Sequence, residues 1–147
     1  MEALSAVLTQ LQTLMDELAD TLTEEVSQLS QARVNPVSLQ VISDNKSRLL
    51  SSIDFYDEKR KEEEKRCQTQ APYPHECPLT GQWEHIVQVV KRSSQLNQKS
   101  FQLLNLHLQR VNEFKVLMDK ASGTQTLYGE GGNNNGTFTG KAMSISV

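Results

Sequence analysis

The sequence lacks a long apolar run, and it is poor in aromatic residues (5%) and in cysteine (two of 147 residues). No stretch approaches the roughly 18 apolar residues that a membrane span needs. The start, Met1-Glu2-Ala3-Leu4, lacks the basic residues and continuous apolar core of a signal peptide. Two cysteines do not make a disulfide framework. We therefore expect a cytoplasmic protein with reduced thiols and no integral membrane segment.

The sequence also lacks an excess of charge of one sign. Its 15 Lys and Arg residues stand against 18 Asp and Glu, a net charge of −3, so it offers no strong footprint for nucleic acid. None of the three histidines has a nearby Ser and Asp arrangement of the kind that hydrolases use. The glycines at 129–132 open no helix, as a phosphate-binding loop would. We expect no enzyme, no catalytic residue, no cofactor and no small-molecule substrate.

Residues of metal-ligand type come together in one place, at Cys67, His75 and Cys77. Their spacing lacks the paired C-x2-C of zinc sites. A fourth ligand would have to be Glu76 or His85. We favour free thiols in a loop and predict no metal site.

What the sequence does contain is helical periodicity. A first helix is predicted over residues 3–32, where apolar residues recur at steps of four and three and Glu25 is the one interruption. The apolar seam of this helix consists of Leu4, Leu8, Leu11, Met15, Leu18, Leu22 and Leu29.

A second helix is predicted over residues 36–66. Asn35-Pro36 is a start signal, because Asn caps a helix and Pro suits its first turn. Lys46 replaces one member of the seam that Leu39, Ile42, Leu49, Ile53 and Tyr56 form. Residues 57–66 alternate acids and bases, which predicts exposed last turns with i, i+4 ion pairs such as Asp57–Lys61 and Glu62–Arg66.

Residues 67–80 contain three prolines and are predicted to be a loop. A third helix follows over residues 80–119. Trp83 is interpreted as the anchor of its first turns, and Ser94 and Asn97 as polar members of its seam. The apolar members are Trp83, Ile86, Val90, Phe101, Leu104, Leu108, Val111 and Met118.

The third helix carries a second apolar stripe, on a side roughly opposite its seam. Three helices bury only one of these sides well, and exposed apolar patches usually mark a partner site. A helical partner needs anchors at spacings near i, i+3 or i+4, and i+7. The stripe therefore predicts a site for a helical binding partner at Leu96, Leu103, Leu106, Phe114 and Leu117.

The predicted fold is all-α: three long amphipathic helices in an up-down-up antiparallel coiled bundle. Residues 1–120 form the helical domain. Residues 121–147 are Gly- and Asn-rich and are predicted to be a flexible C-terminal tail. The tail contains one short motif with apolar and aromatic residues, Thr126-Leu127-Tyr128-Gly129. Tyr128 is the residue of this motif that we expect to contact a partner.

Three segments resemble the FlgN family of flagellar export chaperones. Residues 39–56 (LQVISDNKSRLLSSIDFY) contain the family's Leu-Gln and Lys-Ser-x-Leu-Leu motifs. Thr126-Leu127-Tyr128-Gly129 matches the family's tail motif. Residues 140–147 (GKAMSISV) match the family's C-terminal pattern of small residues, a basic residue and Ile-Ser. The order of helices and tail also matches, so the resemblance spans the chain. Residues 67–80 depart from the pattern with two Cys, one His and three Pro.

The resemblance implies a cytoplasmic type III export chaperone. Such a chaperone binds the C-terminal helical ends of the unassembled hook–filament junction proteins (the FlgK and FlgL class) and prevents their premature assembly. It then delivers them to the flagellar export gate, to which it is recruited transiently at the inner membrane. The resemblance also implies that the tail tyrosine region docks on the cytoplasmic domain of the gate (the FlhA class), and the matching residues are Leu127, Tyr128 and Gly129. A structural coiled-coil adaptor or a self-assembling helical bundle is the alternative.

Overall fold

The computed structural model describes residues 1–75 and 77–123, and the regular structure in these residues is entirely helical. Helix α1 spans Glu2–Leu29, α2 spans Pro36–Cys67 and α3 spans Leu79–Ala121. The predicted all-α class and the three long helices are therefore confirmed. None of these helices is long and apolar enough to cross a membrane.

The helix ends follow local sequence signals. The Asn35 side chain accepts hydrogen bonds from the backbone N–H groups of Val37 and Ser38, at 3.0 and 3.4 Å, which confirms the predicted cap. Helix α1 ends at Leu29, three residues before the predicted residue 32. Asn35 precedes Pro36 and therefore has extended and not helical backbone, so α2 begins only at Pro36. Residues 30–35 form the reversal between the two helices. Helix α2 ends where Gln68 adopts left-handed backbone with φ of 52°.

Helices α1 and α2 run antiparallel. The N-terminus of α1 reaches the end of α2, where the Met1 amine lies 3.6 Å from Cys67 Sγ. The end of α1 faces the start of α2, where Asn45 Nδ2 donates to Thr21 Oγ1 at 3.1 Å. The core between the helices is the predicted α1 seam, whose seven members are all buried. Each such leucine is worth roughly 1.5–3 kcal/mol relative to the exposed state.

The two charged interruptions of the predicted seams meet each other in the structure. Lys46 Nζ donates to both carboxylate oxygens of Glu25, at 3.2 and 3.3 Å. Only 3% of Lys46 and 1% of Glu25 is exposed. An ion that is buried this deeply requires a partner of opposite charge, which explains why the two exceptions occur together.

A polar corner joins the end of α2 to the start of α3, and here the prediction of exposed last turns was wrong for two residues, Arg60 and Glu64. Arg60 and Glu64 are buried, because they continue the α2 seam at helical spacing. The Arg60 guanidinium donates to Asp57 and Glu64 at 2.8 and 2.6 Å and lies 4.9 Å from the centre of the Trp83 ring. Tyr73 donates its hydroxyl to Glu64 at 2.7 Å and packs edge-on against Trp83. Trp83 thus anchors the first turns of α3, as predicted.

Of the two ion pairs predicted on the exposed side of residues 57–66, the structure has one and replaces the other. Lys61 Nζ lies 3.4 Å from Asp57 Oδ2, which confirms that i, i+4 pair. Arg66 pairs instead with Glu63, three residues earlier, at 3.1 Å, so the predicted Glu62–Arg66 pair is replaced. Either geometry on a helix surface contributes a few tenths of a kcal/mol.

The first turns of α3 pack parallel to α1. Gln82 accepts a hydrogen bond from Ser5 and donates one to Thr9, at 3.3 and 2.9 Å. One turn later His85 Nε2 lies 3.0 Å from Asp16 Oδ1. With α2 antiparallel to α1, this order gives the predicted up-down-up arrangement.

The buried face of α3 differs from the predicted seam. Residues at steps of seven, Leu79, Ile86, Ser93 and Ser100, are all buried. The buried polar members are therefore Ser93 and Ser100, whereas the predicted Ser94 is exposed and the predicted Asn97 is half-buried. The buried face of α3 lies between the predicted seam and the second apolar stripe. The seam contributes Ile86 to it, and the second stripe contributes Leu96.

Leu96 belongs to this buried face, and its prediction as part of a free stripe needs correction. It is half-buried and packs against the core of the first compact unit of the chain, Met1–Leu96. Its place follows from spacing, since it lies three residues after Ser93 and seven after the half-buried Val89. Leu96 is not available as an exposed anchor for a partner.

Candidate functional site

The second half of α3, from Asn97, belongs to the second compact unit, and its last turns expose apolar side chains. Exposed valine, leucine, phenylalanine and methionine occupy these turns on more than one side of the helix. We call this set the α3 end surface; its members are Leu106, Val111, Phe114, Val116, Leu117 and Met118. Apolar exposure of this density on consecutive turns is typical of a surface that a partner covers.

Three of the five predicted partner-binding residues lie on the α3 end surface: Leu106, Phe114 and Leu117. Phe114 is 64% exposed and Leu117 is 63% exposed, so both are open to contact. Leu103 is half-buried. The structure thus brings the C-terminal members of the predicted stripe together on exposed turns and assigns Leu96 to the core.

Sequence reasoning missed three members of this surface: Val111 and Met118, which were assigned to the covered seam, and Val116, which was assigned to neither stripe. All three are more than half exposed. The signal that finds them is the step of seven along the buried face. The series Ser93, Ser100 continues to the half-buried His107 and then to exposed Phe114, which shows that burial ends between the last two steps. An apolar residue beyond that point is available for binding.

The charges around the α3 end surface are mixed. Arg110, Lys115 and Lys120 alternate with Glu113 and Asp119 along the same turns. Charges of both signs produce no strong steering field. A partner of this surface would therefore be held mainly by apolar contact.

The side chains with perturbed pKa values lie in the polar corner and have structural causes. Burial raises the pKa of the Tyr73 hydroxyl, and the hydrogen bond to Glu64 raises it further. Burial acts to raise the pKa of Asp57 as well, but hydrogen bonds and charge from Arg60 and Lys61 outweigh it and lower that pKa. Both groups belong to one network that Arg60 and Glu64 connect, and this network joins the end of α2 to the start of α3.

The loop residues with metal-ligand side chains do not form a site in the part of the chain that the structure describes. Cys67 and Cys77 are free thiols, both half-buried. Among residues 1–75 and 77–123, no group of three or more His, Cys, Asp or Glu side chains is arranged to hold a metal ion. The predicted docking residues Leu127, Tyr128 and Gly129 lie outside the described residues.

Comparison with known proteins matches this chain to one family. The model of the FlgN protein family matches residues 1–136. The flagella synthesis protein FlgN of Escherichia coli K12 is 27% identical over 146 residues, covering 99% of this chain and 100% of that protein. The protein of the same name from Salmonella typhimurium LT2 is 29% identical, with the same coverage. That of Yersinia enterocolitica is 26% identical over 133 residues, or 90% of each chain. No solved structure matches. A family match over nearly the whole length shows that this chain belongs to the FlgN family, whose relatives named here are flagella synthesis proteins.

Proposed function

We propose that this protein is a cytoplasmic export chaperone for the hook–filament junction proteins. It binds the C-terminal helical ends of the unassembled proteins, prevents premature assembly and delivers them to the flagellar type III export gate. The observation that carries the proposal is the α3 end surface, an exposed apolar surface on a member of a flagella synthesis family. The same observation argues for a binding role over an enzymatic one.

The α3 end surface suits a helical client. A junction protein that is still unassembled exposes an apolar helical end, which must be covered until export. Leu106, Phe114 and Leu117 recur at spacings of eight and three residues, which an amphipathic helix can follow along α3. Full burial of one Leu or Phe side chain contributes roughly 1.5–3 kcal/mol, so a few partly exposed side chains give the moderate affinity that later release requires.

Leu103 has a supporting part in this proposal. Because it is half-buried, it contributes less new burial when a client binds than Phe114 or Leu117 does. It lies one turn before Leu106, at the side of the α3 end surface. Its replacement is expected to disturb the packing of α3 as well as the client contact.

Delivery is assigned to the tail. Tyr128, with Leu127 and Gly129, docks on the cytoplasmic domain of the export gate. An aromatic ring with a hydroxyl group supplies a large apolar contact and a polar handle in one side chain. The separation of the two sites along the chain lets the protein hold a client while it contacts the gate.

A self-assembling bundle is the second candidate, because exposed apolar side chains on α3 can also pair with a second copy of the chain. Light scattering at several protein concentrations, alone and with the C-terminal segments of the two junction proteins, separates the candidates. The chaperone predicts a defined complex with each segment and a gain of helical signal when it forms. A stable homotetramer that ignores both segments would support the bundle and would contradict the chaperone.

A further inference from the structure

Helix α1 has an unusually regular seam. One set of positions at steps of seven is Leu4, Leu11, Leu18 and Glu25, and the other is Leu8, Met15, Leu22 and Leu29. All eight side chains are buried. Apart from Glu25, this is the heptad pattern of a coiled coil.

Such a seam does not specify its own partner. A helix with Leu or Met at each of these positions packs well against another copy of itself in parallel, as well as against α2. The apolar members of α1 therefore leave open whether α1 pairs within its own chain or with a second copy. Something else must decide between the two.

The short link between the helices decides only part of this question. Residues 30–35 and the Asn35 cap fix where α2 starts, and so fix the register of α1 against α2 within one chain. The link places no restriction on pairing between α1 helices of different chains. Whether such pairing occurs must therefore depend on the residues of the α1 seam.

Glu25 provides that rule. In the observed hairpin its carboxylate is 1% exposed and accepts two hydrogen bonds from Lys46 of α2, which is 3% exposed. In a parallel pair of α1 helices, residues with the same number face each other at the seam. Glu25 would then face Glu25 of the second copy, and two buried carboxylates would lack a cation.

We propose that Glu25 selects α2 of its own chain as the partner of α1 and prevents α1 from pairing in parallel with α1 of a second copy. Lys46 makes the choice favourable by neutralising the buried carboxylate in the hairpin. A single polar residue at a seam position is known to set pairing in coiled coils, at some cost in stability. The inference does not depend on the client or on the export gate.

Two variants test the proposal, because each breaks the same ion pair but only one removes the charged residue from the α1 seam. Glu25→Leu leaves α1 uninterrupted, whereas Lys46→Leu keeps the carboxylate in place. Each variant also carries Met15→Cys as a reporter in a background with Cys67→Ser and Cys77→Ala, because residue 15 lies on the α1 seam and is buried in the hairpin. The purified proteins are exposed to oxidised glutathione at pH 8, and the covalent dimer that forms through residue 15 is measured on a non-reducing gel.

The expected result is a difference between the variants. Glu25→Leu gives at least about tenfold more covalent dimer than Lys46→Leu, corresponding to a pairing preference of about 1.4 kcal/mol or more. The parent reporter with both charges intact gives little dimer. Equal dimer in the two variants would show that breaking the ion pair merely loosens the hairpin, and would overturn the proposal. Absence of dimer from Glu25→Leu would overturn it as well.

Discussion

At the scale of single residues, the buried charged side chains of the described residues each have a partner of matching chemistry. Glu25 has Lys46, and Glu64 has both Arg60 and Tyr73. A buried hydrogen bond to a charged group contributes about 1.5–3 kcal/mol, and a buried group that loses its partner costs a similar amount. These residues hold the helices in place.

Replacement of Tyr73 by Phe tests the polar corner. The change keeps the ring contact with Trp83 and removes the hydrogen bond to Glu64. We expect a loss of about 1–2 kcal/mol of unfolding free energy, since Arg60 still holds Glu64. Urea denaturation followed by circular dichroism measures it. Tyr56→Phe is the matched control, because Tyr56 is half-buried and contacts Phe55 through its ring. An equal loss in both variants would argue against a special role for the Tyr73 hydroxyl.

At the scale of helices, the sequence predicts α1 and α2 well and α3 less well. The α1 seam repeats without ambiguity, so its buried face could be derived from spacing alone. Helix α3 has apolar residues on two sides, and spacing alone does not say where one face gives way to the other. For this reason Leu96 was predicted to be exposed but packs against the core, and Met118 was predicted to be covered but is exposed.

The corner between α2 and α3 shows a second limit of sequence reasoning. A run that alternates acids and bases predicts a solvated helix surface in most proteins. Arg60 and Glu64 are exceptions because Tyr73 and Trp83, which are distant in the sequence, cover and bind them. A contact of that kind depends on the path of the loop, which three prolines leave undetermined from sequence.

The loop cysteines provide a prediction at this scale. Cys67 ends α2 and Cys77 packs against the core as a small apolar side chain. We expect the variant Cys67→Ser/Cys77→Ala to keep one cooperative melting transition within a few degrees of the parent, because its changes remove little buried area. Differential scanning calorimetry and metal analysis of both proteins check it. Loss of the melting transition in the variant, or a bound metal found in the parent alone, would show that the loop cysteines stabilise the protein in a way that the described contacts do not explain.

At the scale of the whole molecule, the proposed function has two tasks at different places along the chain. In this proposal the α3 end surface captures the client, and the tail contacts the export gate. Only the first site lies within the described residues. The tail site rests on the resemblance of residues 126–129 to the family and on the chemistry of tyrosine.

Replacement of Tyr128 by Ala tests the separation. We expect the melting temperature and the client affinity to stay nearly unchanged, because Tyr128 lies beyond the helices that hold the core and the α3 end surface. Binding to the cytoplasmic domain of the export gate should fall, most visibly when a client is bound. Both affinities are measured on one preparation, with Tyr128→Phe as the control that retains the ring. Loss of client binding with gate binding retained would reverse the two roles.

The central claim is that the α3 end surface binds the client, and a pair of double variants tests it most directly. Phe114→Ser/Leu117→Ser removes two side chains that are 64% and 63% exposed. Val41→Ser/Phe55→Ser removes side chains that are 63% and 55% exposed on α2, so it changes a similar amount of exposed apolar surface elsewhere. Neither variant touches a buried residue, unlike changes at Leu103.

The measurement is the dissociation constant of each variant for a fluorescently labelled C-terminal segment of each junction protein. We expect the α3 variant to bind about a hundredfold more weakly than the parent, a loss of about 2.7 kcal/mol from two side chains. We expect the α2 variant to bind as the parent does. Normal binding by the α3 variant, or an equal loss in both variants, would contradict the assignment of the client site to the end of α3.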